Sequence, residues 1–73
     1  MATSVEAPMV GKILRIEKQV GEHVEEDEVV IVMEAMKMEN ELRASRAGVV
    51  AELHVREGQS VDAGTLLLVV APA

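Results

Sequence analysis

The feature that most constrains this chain is a repeat. Sliding the sequence by 37 residues aligns its two halves without gaps. Ala7 then meets Ala44, Gly11 meets Gly48, Gly21 meets Gly58, Val24 meets Val61 and Val32 meets Val69. The apolar pattern follows the same register. Ile13 falls on Val50, Ile16 on Leu53, and the run Val29 to Met33 on Leu66 to Val70. Matched glycines mark matched turns, because glycine tolerates backbone shapes that other residues resist. The repeat predicts two similar strand–turn–strand units related by an approximate two-fold axis. Neither unit can bury its apolar face alone, so the two must pack together.

Length and composition narrow this further. Seventy-three residues make one domain with a marginal core. Its useful part runs from about residue 5 to 72. With no Cys, neither disulfides nor thiolate ligands are available, and a reducing compartment is permitted. With no Phe, Tyr or Trp, the core must be aliphatic and base stacking has no platform. The net charge of −6 argues against nucleic-acid backbones as partners. The longest apolar run, Leu66 to Pro72, is too short to span a bilayer. No signal peptide is visible, so a cytoplasmic protein without a membrane role is expected. His23 and His54 are expected to face solvent. Two histidines without cysteine leave no recognisable metal shell.

Taken in order, Met1 to Ser4 read as a loose terminus. Val5 to Val20 alternates imperfectly. Leu14 and Ile16 are expected to face the core, Arg15 and Glu17 the water, with Gly11 as a bend or bulge. Gly21 marks a turn, and the acidic run Glu25-Glu26-Asp27-Glu28 reads as a solvated turn. Val29 to Met33 is a buried strand. In the second half Val49, Ala51, Leu53 and Val55 alternate with Val50, Glu52, His54 and Arg56. Gly58 and Ala63-Gly64 turn the chain, Leu66 to Val70 closes it, and Pro72 ends it. The whole reads as eight short strands and no helix.

The junction between the halves is Glu34-Ala35-Met36-Lys37-Met38. From Met33 to Ala44 the residues are strong helix formers. Against a helix stand the missing N-cap and the repeat, which makes this segment the hand-over between units. Lys37 is one of only three lysines, and methionines bracket it. A lysine displayed between two flexible thioethers at the midpoint reads as a modified residue that the rest of the chain holds out. No phosphate-cradling glycine loop and no nucleophile–base pair is present, so the chain is not expected to be a catalyst.

Glu34-Ala35-Met36-Lys37-Met38-Glu39-Asn40-Glu41 resembles the biotin-attachment motif of biotin carboxyl carrier domains. Ala7-Pro8-Met9-Val10-Gly11-Lys12-Ile13 is similar to that family's first strand. The resemblance runs from about Val5 to Val70. It implies an all-β flattened barrel, or sandwich, of two four-stranded antiparallel sheets, with Lys37 on a hairpin between the halves. It implies biotin in amide linkage to Lys37, with Glu34, Ala35, Met36 and Met38 recognised by a ligase or partner. The implied partners are a biotin protein ligase, a biotin carboxylase and a carboxyltransferase, served by a monomeric domain. A turn glycine is common in the family where this chain has Glu26-Asp27, and a proline near Ser45-Arg46; both are absent here. The starting Met1 favours a standalone carrier subunit.

The chemistry agrees. An amine of ordinary basicity is almost wholly protonated at pH 7, and no base is expected beside it. An outside ligase must therefore activate biotin, as an acyl-adenylate. A two-residue loop at Met36-Lys37 would pair Ala35 with Met38, Glu34 with Glu39, Met33 with Asn40 and Ile31 with Leu42. Such a loop is strained, because it asks for positive φ where no Asn-Gly stands. Two other functions compete. One is a lipoyl carrier of the same fold, whose lysine usually sits in Asp-Lys-Ala. The other is an acidic β-module that binds a partner and carries no cofactor.

Overall fold

A computed structural model describes all residues from 1 to 73. It contains eight strands: β1 (Thr3–Glu6), β2 (Gly11–Ile16), β3 (His23–Val24), β4 (Val29–Ala35), β5 (Met38–Arg43), β6 (Gly48–Leu53), β7 (Ser60–Val61) and β8 (Leu66–Ala71). They form two antiparallel four-stranded sheets, in the orders β1-β8-β6-β3 and β5-β4-β2-β7. No helix forms, so none is long and apolar enough to cross a membrane. The helix formers between Met33 and Ala44 lie in β4, a turn and β5, because cross-strand pairing overrides their local preference.

The 37-residue shift carries β2 onto β6, β3 onto β7 and β4 onto β8. It therefore exchanges the two sheets. The units pack together, as the repeat predicts, but not as two separate layers. Each sheet takes two strands from each half, so the halves interlock. The loop hydrogen bonds repeat in the same way. Gly21 donates to the Val50 carbonyl and Gly58 to that of Ile13, at 2.9 and 2.7 Å. Asp27 donates to Ala44 and Gly64 to Ala7, both at 2.7 Å.

Between the sheets lies an aliphatic core that includes Val5, Ile13, Val24, Val30, Ile31, Met33, Leu67, Leu68 and Val70. Four single-residue bulges shape it. They fall at Leu14 and Val30 in the first half and at Ala51 and Leu67 in the second. A bulge lets consecutive residues share one face, and Val30-Ile31 and Leu67-Leu68 are all fully buried. It also breaks simple alternation, which corrects two expectations. In β2 the core residue is Ile13, while Leu14 is half-buried in the bulge and Ile16 packs at the core's margin. In β6 the core residue is Val50, while Val49 is half-buried and Ala51 is exposed.

Gly11 is neither a bend nor a bulge; its φ is not positive, and it sits in strand. Its importance is contact. A Cβ there would collide with the Glu34 carbonyl and lie 2.6 Å from Met33 Cε. Gly48 meets the same constraint against Ala71 and Val70. Asp27 supplies the turn where the family's glycine is missing. Its φ is 72°, and that of Gly64 in the matching turn is 86°. The acidic stretch around Asp27 is a solvated turn, tied to β2's exit by Lys18, whose ammonium lies 3.0 Å from Glu28. The Glu25 N–H and Lys18 hold the Glu28 carboxyl below its ordinary pKa, and Glu28 raises that of Lys18.

Gly11→Ala should lose about 1–3 kcal/mol of stability by overpacking, read as a lower urea midpoint at unchanged slope. An unchanged midpoint would mean that β4 can move away from β2 at no cost.

Candidate functional site at the β4–β5 hairpin

β4 and β5 are joined by Met36 and Lys37 alone. The pairs are Ala35 with Met38, Glu34 with Glu39, Met33 with Asn40, Val32 with Glu41 and Ile31 with Leu42, the register that the two-residue loop requires. Met36 has φ 55° and Lys37 φ 63°. Both are left-handed, as a primed hairpin turn demands, and neither residue accepts that conformation freely. The strain is held in place by β4, whose Ile31 and Met33 are completely buried beneath it.

The four residues around the lysine divide into two kinds. Met36 and Met38 are 86% and 66% exposed, so they are not core fillers. Glu34 is also exposed. Ala35 is buried and cannot present its side chain to a partner. It lies against the space above Gly11, within 3.2 Å of where a Cβ would stand. Its contribution is a small, close fit under the tip, which corrects its reading as a contact residue.

Lys37 is exposed and takes part in none of the chain's ion pairs, which use Arg15, Lys18, Arg43 and the two histidines. Nothing in the fold holds or shields its amine. Glu34 and Glu39 oppose each other across the hairpin, an unfavourable cross-strand pair. Two cations lie nearby on the same sheet. Lys12 is the β2 partner of Glu34, and the Arg15 guanidinium reaches across β4 to within 3.9 Å of Glu39. Sequence reasoning missed Arg15 here, because only the sheet order puts β2 and β5 on either side of β4. The histidines sit elsewhere, exposed, His54 2.7 Å from Glu52 and His23 3.4 Å from Glu25. No cluster of His, Cys, Asp and Glu could hold a metal ion.

The other end of the barrel is built differently. The Gly64 and Thr65 contacts to Ala7 put the start of β8 on the tip's side, so β8 runs away from it. β1 pairs along β8, Thr3 opposite Val70, and both termini finish at the far end.

A strained hairpin on a two-sheet body, holding an exposed lysine that joins no ion pair, defines a carrier domain for a covalently attached group. The family described as "Biotin-requiring enzyme", the biotin/lipoyl family, matches residues 3–70, and the chain belongs to it. The chain is 46% identical over 70 residues to a biotin carboxyl carrier protein of Streptococcus mutans, an alignment covering 96% of this chain and 54% of that one. It is 44% identical over 64 residues to the biotin carboxyl carrier protein of acetyl-CoA carboxylase from Solanum lycopersicum, covering 88% of this chain and 91% of that one. Its fold superposes on Kluyveromyces lactis urea carboxylase with a TM-score of 0.90 and 32% identity, over 97% of this chain and 6% of that chain. The chain thus spans about half of the bacterial carrier and a small part of the large carboxylase.

Replacing Met36-Lys37 by Asn-Gly should relieve the turn and stabilise the domain by about 1–3 kcal/mol. Urea or thermal unfolding reads this. No gain would mean that the turn stores no strain.

Proposed function

We propose that Lys37 is the attachment point for biotin and that the domain carries a carboxyl group between separate catalytic centres. The observation that carries this reading is the unpaired, exposed Lys37 at the apex of a hairpin whose backbone is strained. The residues fit the cofactor. Attachment needs an accessible primary amine, and the flanking Met36 and Met38 leave it open on both sides.

In attachment, the neutral Lys37 Nζ attacks the activated carboxyl carbon of biotin. An amide forms, the adenylate leaves and the amine's proton passes to solvent or the ligase. The chain has no base beside Lys37 to assist, so the ligase supplies the activation. Biotin, when bound, supplies the chemistry of taking up and releasing the carboxyl group. The rigid body fixes where the arm begins, and the tether raises the local concentration of its cargo at each centre it visits. A carrier must also leave each centre quickly. The net charge of −6 and the absence of aromatic anchors suit weak, salt-sensitive docking. The proposed partners are a biotin protein ligase, a biotin carboxylase and a carboxyltransferase, met by a monomeric domain in the cytoplasm. The Met-Lys-Met setting favours biotin over a lipoyl group, and the carboxylase names of the relatives point the same way.

Intact mass after expression with both a biotin ligase and a lipoyl ligase should show one biotinyl increment. Peptide mapping should place it on Lys37 and on neither Lys12 nor Lys18, and Lys37→Arg should abolish it. A lipoyl increment, or biotin mainly on another lysine, would overturn the proposal.

Carboxyl loading of the biotinylated protein by a compatible biotin carboxylase, with ATP and bicarbonate, should fall as salt is raised from 0.05 to 0.5 M, by roughly an order of magnitude in kcat/KM. A flat salt response would remove electrostatics from docking.

A further inference from the structure

The internal symmetry provides a comparison within one chain. The 37-residue shift matches the loop Pro8-Met9-Val10 with Ser45-Arg46-Ala47. Each loop leads into a glycine pressed against the neighbouring strand, Gly11 or Gly48. The matching place in the second half takes Ser-Arg-Ala, all exposed, whereas in the first loop Met9 is half-buried and Pro8 and Val10 are exposed. Only the apolar copy stands at the Lys37 end. Gly11 lies against Glu34 and Ala35, so Val10 leaves the sheet at the level of the Met36-Lys37 turn.

Val10 is 67% exposed, an apolar side chain left in water, and Met36 and Met38 on the hairpin are exposed as well. Apart from Met1, the large apolar residues that the fold leaves exposed are Val10, Met36, Met38 and Val20. Met36 and Met38 flank the lysine, and Val10 precedes Gly11, which lies against Glu34 and Ala35 at the top of β4. Val20 lies toward the opposite end, next to Gly21, which bonds Val50.

We propose that Val10, on the Pro8–Val10 loop, is a third apolar contact through which a biotin protein ligase recognises the unmodified domain; this rests on Lys37 as the biotin site. The ligase is the partner singled out because it must grip the domain before biotin is attached. A biotin carboxylase or carboxyltransferase has the biotin itself to hold. The ligase has only protein surface and a charged amine. Burying Val10, Met36 and Met38 supplies that grip, while exposed Glu34 and Glu39 at the rim fit a basic border on the enzyme.

The test is steady-state biotinylation by a purified ligase of the wild-type domain, Val10→Ser, Val20→Ser and the loop exchange P8S/M9R/V10A. Thermal midpoints are measured alongside. Val10→Ser and the exchange should raise KM about 5- to 10-fold with kcat little changed, the loss expected for one buried aliphatic contact. Val20→Ser matches Val10→Ser in chemistry and approximately in exposure, and should leave KM unchanged. The Val10→Ser midpoint should stay close to wild type, which separates recognition from unfolding. Equal KM for the Val10→Ser and Val20→Ser proteins would overturn the proposal. So would normal biotinylation of the Val10→Ser protein followed by defective carboxyl loading, which would assign the contact to the carboxylase. A wild-type domain that takes up no biotin is a different result, and it would overturn the reading of Lys37 on which the proposal rests.

Discussion

The structure depends on backbone hydrogen bonds exchanged between the two halves of the chain. Ala7 and Gly64 bond each other's halves, as do Ala44 and Asp27, Ile13 and Gly58, and Val50 and Gly21. Each bond has its counterpart at the repeat spacing. Each turn of one half is thus tied to a strand or strand end of the other, and neither half makes these bonds alone. This matters in a chain with no disulfide and no aromatic side chain. The aliphatic core fills only when all eight strands are in place, and the register that fills it also fixes the β4–β5 hairpin.

Much of this was legible in the sequence because symmetry constrains it. The repeat located the turns, removed the helix that local propensity favoured, and marked residues 36 and 37 as a junction. The hairpin register followed from a loop of two residues and holds pair by pair from Ala35–Met38 to Ile31–Leu42. What could not be read was where the strands slip. A bulge leaves no residue signature. Leu14 was therefore assigned to the core in place of Ile13, and Ala51 was grouped with the inward set that belongs to Val50. Asp27 and Gly11 show the same limit from opposite sides. Asp27 takes a left-handed backbone at the place of a missing glycine, and Gly11 is needed for room rather than for a turn. Lys37, Met36 and Met38 were singled out by chemistry, and the structure places all three on the exposed hairpin. Ala35 was misread because motif membership does not tell which way a side chain points.

The tip breaks several local rules at once. Two non-glycine residues share a left-handed turn, two glutamates face each other, and two methionines stand in water. Each of these is unfavourable for stability, and each keeps the lysine isolated and accessible. The body below is the reverse. Its large core side chains are almost wholly buried, and no buried polar side-chain atom lacks a partner. The fold gathers most of these conflicts at the hairpin; Asp27, with its left-handed backbone, is one that lies elsewhere.

The placement of the two ends has a mechanical consequence. The termini lie side by side on adjacent strands, and Lys37 stands at the other end of a body 34 Å long. A chain continuing from either terminus would pivot the domain about that end. Lys37 would then sweep an arc whose radius is close to the full length of the barrel, while the strands along it stay rigid. The barrel is thus a crank: small rotations at its foot become large displacements at its head, before the flexible side chain adds any reach of its own.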